Sequence, residues 1–288
     1  MTKIAFVGCG ALGLNYGTRL LEAQIYKNEP LDVCLVLRRD FELVKSSGIL
    51  VEYGKVDQEK KFLSFSSSQL EGKLYSSTDS LKDAKGHMDW VFVCCKSYSI
   101  NDALRVSLLP IMGPDTKLVV IMNGLGVEDP FLEWFGTDRV YGALSQIACN
   151  RGPNPPLRPG PLVVNVYLDL KLDIAHMAND ISKSQLAVDL FSQTSIHNLV
   201  SLSTNLLSAR WHKLCWNLTF AGISVAMGGL TCDVIVHDES LKELANNVIS
   251  DIIRVANADI LQQHQKLHPD NSESTLCTDL LCQKEIVG

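Results

Sequence analysis

The sequence predicts an α/β protein, in which a doubly wound parallel sheet is followed by an all-helical C-terminal domain. Up to about residue 150, short apolar runs alternate with helical patterns, as in a parallel sheet covered by helices on both faces. From about Thr204 to the end, the pattern is almost entirely helical. We therefore expect two domains, residues 1–200 and 201–288.

The first elements form a β-α-β unit. KIAFV at residues 3–7 is an apolar run flanked by turn residues, which is typical of a strand buried on both faces. A helical pattern follows from Ala11 to about Ala23, and DVCLVL at residues 32–37 is the second strand. This order predicts two parallel strands joined by a helix.

The following elements extend this sheet. Residues 51–65 resemble a hairpin inserted before the next parallel strand, and further strands are predicted at 89–95, 117–122 and 139–144. The segment NRGPNPPLRPGP has five of the ten prolines and reads as a loop. PLVVNVYLDLKLDIA after it has the pattern of an antiparallel strand, so we expect the sheet to end there.

Composition excludes several classes of protein. A net charge of -6, without a long basic run, gives no footprint for nucleic acid. No segment reaches the ~20 apolar residues that span a bilayer, and no signal peptide is recognisable, so a cytoplasmic protein is predicted. The nine cysteines include no C-x-x-C pair, and several lie in apolar runs, which favours reduced, structural thiols.

FVGCGALG, residues 6–13, has the glycine spacing of a dinucleotide-binding loop in a Rossmann-type domain. It follows a predicted strand and begins a predicted helix, which is the context that this mechanism requires. Gly8 permits the tight turn, Gly10 lets the backbone approach a pyrophosphate, and Gly13 allows close helix packing. A plain glycine turn is the alternative. The candidate cofactor-binding loop comprises Gly8, Cys9, Gly10, Ala11, Leu12 and Gly13.

The end of the second strand indicates which dinucleotide binds. An Asp or Glu there would accept a hydrogen bond from the ribose 2'-hydroxyl of NAD, but this chain has Leu37 followed by Arg38 and Arg39. Because guanidinium groups can hold a 2'-phosphate, the sequence favours NADP, and so NADPH as reductant. An exposed arginine pair is the alternative, and the acidic Asp40 that follows leaves NAD open.

Polar residues follow two later strands at the sheet edge where ligands gather. Lys96 comes directly after FVCC, and Asn123 directly after VVIM. The lysine could pair with a phosphate or carboxylate and the amide could orient a nicotinamide or hydroxyl, although each could instead only cap the next helix.

In the helical domain, RWHKLCWN places Lys213 and Asn217 four residues apart on one helix face. A lysine among apolar residues can have its pKa lowered by desolvation and act as a proton donor near neutral pH. A lysine that extends its ammonium group into water is the alternative. His264 and His268 are also four apart, but nothing near them completes a metal site, so no metal is predicted.

Four motifs in order resemble the ketopantoate reductase family. They are GCGALG, CCKS, MNGLG and WHKLCWN, followed by FAGISVAMGGLT. The resemblance implies NADPH-dependent reduction of 2-dehydropantoate to (R)-pantoate, with residues 1–200 binding NADP and residues 201–288 contributing to substrate binding and dimerisation.

The resemblance also implies roles for single residues. Lys213 matches the lysine that protonates the ketone oxygen as hydride arrives, while Asn123 and Lys96 match residues that contact cofactor and substrate. Asn217 matches a substrate-binding amide. STLCTD at 274–279 is similar to a T-S-M-x-Q-D run of the family, in which Thr275 supplies a hydroxyl.

Two positions depart from the family pattern. A second asparagine is usual four residues after the position of Asn217, but this chain has Ala221 there. The glutamate usual eight residues beyond the aspartate of the last run would fall at Val287, whereas the nearest glutamate is Glu285. These departures keep two alternatives open: reduction of another 2-oxo acid, or a non-catalytic NADP-binding sensor protein. The expected partner is a small 2-oxo acid, and a homodimer is one oligomeric state that the sequence allows.

Overall fold

The computed structural model describes residues 1–26, 29–54, 59–153, 160–267 and 281. It divides the chain into two compact units, Met1–Thr204 and a second that begins at Asn205. Within the described residues, no helix is long and apolar enough to cross a membrane.

The first unit contains one large sheet. Its strands are β1 (Thr2–Val7), β2 (Ile25–Tyr26), β3 (Glu29–Val36), β4 (Ile49–Tyr53), β5 (Lys61–Phe65), β6 (Leu74–Tyr75), β7 (Met88–Val93), β8 (Met112–Ile121), β9 (Val140–Arg151), β10 (Leu162–His176) and β11 (Val200–Leu202).

Helices cover the sheet and form the second unit. Those of the first unit are α1 (Ala11–Ala23), α2 (Phe41–Ser47), α3 (Thr78–Lys85), α4 (Asp102–Leu108), α5 (Asp129–Phe135) and α6 (Ile181–Asp189). Those of the second are α7 (Leu206–Trp216), α8 (Gly222–Ala226), α9 (Cys232–His237) and α10 (Glu239–Leu267), and a π turn, Asn217–Ala221, joins α7 to α8.

The strand order β2-β3-β1-β7-β8-β9-β10-β4-β5 contains a parallel core. Every neighbouring pair from β3 to β9 is parallel, and β9 then pairs with β10 antiparallel. This confirms the predicted doubly wound sheet followed by helices. It also places the carboxyl ends of β1, β3 and β7 at one edge, where ligands bind in such sheets.

Alternate residues of β1 pack into two separate cores. Ile4 and Phe6 face one core, while Ala5 and Val7 face the other, and all four are buried. Phe6 stacks on Phe92 of β7 with ring centroids 4.7 Å apart. Burying one such large side chain stabilises the fold by roughly 1.5–3 kcal/mol, so both faces of the central strands contribute.

The expectation that the sheet ends at the antiparallel strand is wrong. β10 pairs on its outer side with β4 in parallel register, with Ile49 opposite Leu162, and β4 forms an antiparallel hairpin with β5. The hairpin seen in the sequence therefore extends the far side of the sheet. It satisfies backbone groups of β10 that would otherwise form an open edge.

β9 extends well past its predicted end at residue 144. It continues to Arg151 because it pairs along its length with β10, from Tyr141 opposite His176 to Arg151 opposite Val164. The start of the proline-rich segment is thus strand, and Arg151 is held by the sheet.

The second unit is built on α7. Its N-cap, Asn205, accepts a hydrogen bond from the backbone N–H of Ser208 at 3.0 Å, which satisfies a donor at the start of the helix. Trp211 of α7 donates its indole N–H to Asp259 of α10 at 2.8 Å. This contact fixes α7 against the longest helix of the unit.

Candidate active site

The glycine loop joins β1 to α1. Gly8 has φ +83°, and a Cβ there would lie 2.7 Å from the backbone nitrogen of Cys95. A Cβ on Gly13 would lie 3.0 Å from the carbonyl oxygen of Gly8. Two of the three glycines are therefore required by the packing of the loop itself, because any side chain would displace neighbouring backbone.

Gly10 is different because a Cβ there would meet no protein atom within 4 Å. It is the N-cap of α1, a helix of 13 residues with no acidic residue in its first turn. The first N–H groups of a helix point outward and carry partial positive charge. Open space at Gly10 and an uncompensated helix N-terminus fit a dinucleotide pyrophosphate.

The other loop residues have different surroundings. Cys9 is buried, its thiol donates to the carbonyl oxygen of Phe6 at 3.2 Å, and burial raises its pKa to about 12. This thiol stays protonated at neutral pH, so Cys9 is a packing residue of the loop. Ala11 and Leu12 are half-buried and pack against the core.

A cavity of about 880 Å³ begins at the glycine loop. Gly8, Cys9 and Gly10 line one end, and Arg38, Arg39 and Asp40 at the end of β3 line another part. The start of α3 and one side of α4 complete the wall. The cavity thus connects a site that fits a pyrophosphate to the arginine pair expected to select the dinucleotide.

Asp40 is paired within this wall. Its carboxylate receives both terminal nitrogens of Arg151, with Nη2 2.8 Å from Oδ1 and Nη1 2.8 Å from Oδ2. Arg39, whose side chain is 82% exposed, is more distant, with its Nε 3.7 Å from Asp40 Oδ1. Arg38 is exposed at the wall. The carboxylate that left NAD open in the sequence is therefore engaged by a residue of β9.

Lys96 and Asn123 are exposed residues that follow β7 and β8. Neither lines the cavity, although Cys95, Tyr98 and other neighbours of Lys96 do. Burial raises the pKa of the Cys149 thiol on β9, and the positive charge of Lys96 partly opposes this rise. Lys96 is therefore close enough to Cys149 to interact with it. The roles expected for Lys96 and Asn123 stay predictions.

Lys213 of α7 is half-buried. Desolvation, together with the positive charge of Arg210, lowers the pKa of Lys213 to about 8. An ammonium with this pKa is still mainly protonated at pH 7, and it gives up its proton more readily than an ordinary lysine. Burial of the ammonium disfavours the alternative that it extends into water.

Asn217 lies where α7 gives way to the π turn. Its backbone N–H bonds to the carbonyl oxygen of Lys213, so the two residues are one α-helical turn apart. The π turn has one residue more than an α-helical turn. It therefore rotates the exposed Ala221 away from the helix face that it would share with Asn217 in a regular α-helix. Such π turns are frequent at functional sites.

Thr275, expected to supply a substrate hydroxyl, and the C-terminal glutamate position both lie outside the described residues. Over the part of the chain that is described, no group of three or more His, Cys, Asp or Glu side chains could hold a metal ion.

Two family models match this chain. The model described as ketopantoate reductase PanE/ApbA matches residues 4–158, and its C-terminal counterpart matches residues 205–278. The first match alone spans more than half of the 288 residues. The chain belongs to the ketopantoate reductase family. This confirms the family predicted from the four sequence motifs.

Individual proteins are similar to this ketopantoate reductase family member at low identity. A 2-dehydropantoate 2-reductase of Nostoc sp. is 29% identical over 253 residues, which cover 87% of this chain and 71% of the relative. The crystal structure of 2-dehydropantoate 2-reductase from Geobacter metallireducens GS-15 has a TM-score of 0.73 and 23% identity, covering 98% of this chain and 87% of that one.

A further fold relative is D-mandelate dehydrogenase in a ternary structure with NADH and anilino(oxo)acetate. Its TM-score is 0.69 at 15% identity, over 90% of this chain and 74% of that one. Family membership makes the present chain one of a family of nicotinamide-dependent oxidoreductases.

Two residues of the cavity wall were not among those predicted from the sequence. They are Arg151, which lies 111 positions after its partner Asp40, and Tyr98, which is 84% exposed. The sequence predicts β9 only to residue 144, and the pairing with β10 shows that it continues to Arg151.

Proposed function

We propose that this protein reduces 2-dehydropantoate to (R)-pantoate with NADPH, and that Lys213 is the proton donor. Membership of the ketopantoate reductase family and the name of the Nostoc relative support the substrate.

The cavity supports the choice of NADPH. Gly8, Gly10 and the start of α1 would hold the pyrophosphate, and Arg38 with Arg39 would hold the 2'-phosphate. When bound, the reduced nicotinamide supplies the hydride. The negative charge that develops on the ketone oxygen then needs a positive group and a proton from the protein.

The lowered pKa of Lys213 is the main support for the proposal. Its desolvated ammonium, with a pKa of about 8, can stabilise the developing alkoxide and transfer a proton to that oxygen. The product is a neutral hydroxyl, and Lys213 is left as an amine that regains a proton from solvent. Asn217, one turn away, is the proposed hydrogen-bonding partner of the substrate.

The test is the loss of NADPH absorbance with 2-dehydropantoate in the purified full chain. Lys213→Ala should lower kcat by about 100-fold or more, which is a usual contribution of a general acid. Lys242→Ala is the matched control, because Lys242 is an exposed lysine on α10 and should keep the normal rate. A normal rate in Lys213→Ala would exclude Lys213 as the acid.

The pH dependence gives a second readout of the same residue. Because the pKa of Lys213 is about 8, its acid form is present below pH 8 and is lost as the pH rises above it. We therefore expect kcat/KM, which reports the ionisation of the free enzyme, to fall above about pH 8. A flat profile from pH 7 to pH 10, with chemistry rate-limiting, would contradict the assignment.

Ala221 favours a second candidate substrate, another 2-oxo acid. An exposed methyl group stands where the family usually has an amide, and a methyl group cannot hydrogen-bond a substrate hydroxyl. A panel of 2-oxo acids in the same assay separates the two substrates by kcat/KM. NADPH binding without turnover on any of these acids would instead support a non-catalytic sensor protein.

The homodimer stays a prediction, which a measurement of molecular mass in solution would test.

A further inference from the structure

The Arg151–Asp40 ion pair joins two distant parts of the first unit at the cavity wall. Asp40 follows β3, and Arg151 ends β9. Both terminal nitrogens of Arg151 contact the two carboxylate oxygens at 2.8 Å, and the two side chains are only 18% and 11% exposed. A two-point contact in such a sheltered position is a strong form of ion pair.

Asp40 does not use its carboxylate in the way its position suggests. It is the N-cap of α2, where an aspartate commonly accepts a hydrogen bond from the first turn, but its side chain makes no capping bond. Its backbone carbonyl accepts the N–H of Val44 at 3.0 Å, which is the first hydrogen bond of the helix. The carboxylate is turned toward Arg151, so the ion pair replaces the cap.

The position of this carboxylate matters for the dinucleotide. An acidic group after the second strand of a dinucleotide-binding unit favours NAD, because it accepts a hydrogen bond from the 2'-hydroxyl and repels a 2'-phosphate. Asp40 lines the same cavity as Arg38 and Arg39. Arg39 also lies near Asp40, at 3.7 Å, but its side chain is 82% exposed and exposed ion pairs of this kind are weak.

We propose that Arg151 is a specificity-determining residue for the dinucleotide. It neutralises Asp40 and holds it in place, so that the arginine end of the cavity accepts a 2'-phosphate. This inference rests on the proposed use of NADPH. β9 lies outside the β-α-β unit that carries the glycine loop, and through Arg151 it takes part in the choice between NADPH and NADH.

The experiment measures binding, so it does not depend on turnover. Calorimetric titrations of the full chain with NADPH and with NADH give the ratio of the two Kd values. Arg151→Gln should lower the preference for NADPH about tenfold or more, because an unneutralised carboxylate then faces the 2'-phosphate. Arg105→Gln is the matched control, because it breaks another Arg–Asp pair, with Asp102, that is exposed and does not line the cavity.

A double variant separates neutralisation from direct contact with the phosphate. In Asp40→Asn/Arg151→Gln the carboxylate is gone, so the preference for NADPH should return to within about threefold of the starting protein. An unchanged ratio in Arg151→Gln would overturn the proposal, and so would a double variant as impaired as the single one. Circular dichroism checks that each variant is folded. If the single variant unfolds, the double variant can still be measured, because its two amide side chains can hydrogen-bond to each other.

The same titrations keep the two proposals apart. Failure of the starting protein to prefer NADPH would count against the proposed function alone. A clear preference for NADPH that ignores Arg151 would count against this inference alone.

Discussion

At its glycine end the cavity is shaped by backbone, whereas at its arginine end it is shaped by charge. A Cβ on Gly8 would lie 2.7 Å from the backbone nitrogen of Cys95, and one on Gly13 would lie 3.0 Å from the carbonyl oxygen of Gly8, so the loop accepts no side chain at either position. Arg38 and Arg39 are exposed, and the buried Asp40 is held by Arg151. The two ends of the cavity therefore offer a ligand two kinds of interaction, steric fit at the glycine loop and charge at the arginine pair.

The two ends should therefore respond to different perturbations. Steric exclusion acts over tenths of an ångström and does not depend on salt, whereas charge interactions extend over several ångströms and are screened. Substitutions at the glycine end should change stability or block binding altogether. Substitutions at the arginine end should change the choice of dinucleotide while the fold stays intact.

Gly8→Ala should have the largest effect. It combines a φ of +83° with a Cβ only 2.7 Å from the Cys95 nitrogen, so we expect a loss of about 3 kcal/mol or more in the free energy of unfolding. Gly72→Ala is the control, because Gly72 has φ +69° but open space around its Cβ, and it should lose about 1 kcal/mol. Equal losses in urea unfolding would refute the steric argument.

Gly10→Ala should leave the fold intact and weaken binding of the dinucleotide. A Cβ at this position meets no protein atom, so stability should change by less than about 1 kcal/mol. The methyl group would occupy the space through which a pyrophosphate approaches α1, and we expect affinity for NADPH and NADH alike to fall roughly 100-fold. Calorimetry with both dinucleotides measures it, and unchanged Kd values would place the pyrophosphate elsewhere.

The arginine end should give the smallest and most selective effects. Arg38→Gln should weaken NADPH binding about tenfold through loss of a charge-assisted contact, and leave NADH nearly unchanged. Arg39→Gln should weaken it threefold or less, because an 82% exposed guanidinium is largely screened. Raising the salt concentration should weaken NADPH binding more than NADH binding, and equal salt dependence would contradict the division into two ends.

The sequence predicted those parts of the fold that depend on neighbours along the chain. FVGCGALG lies between a strand and a helix, and the structure places it at the β1–α1 turn, with α1 ending at Ala23 as expected. The far side of the sheet was predicted incorrectly. Pairing of β4 with β10 joins segments more than 100 residues apart, and neither pattern states its partner.

The candidate site divides in the same way. Arg38 could be proposed from its place after a strand, whereas Arg151 could not, because a strand pattern does not say where an arginine at its end will lie. Lys213 could be proposed from its helix, but its acidity depends on how much of the ammonium is desolvated. Desolvation depends on packing around the side chain, which spacing alone does not express.

The amino-acid sequence alone is enough to predict the doubly wound sheet, the glycine loop, the helical second part and the family, because these follow from short-range periodicity and from motifs in a fixed order. Three features arise only when the chain folds: the pairing of Asp40 with Arg151, the position of the β4–β5 hairpin beyond β10, and the pKa of Lys213 near 8. These depend on groups brought together or desolvated by folding, and such contacts have no local signature in the chain.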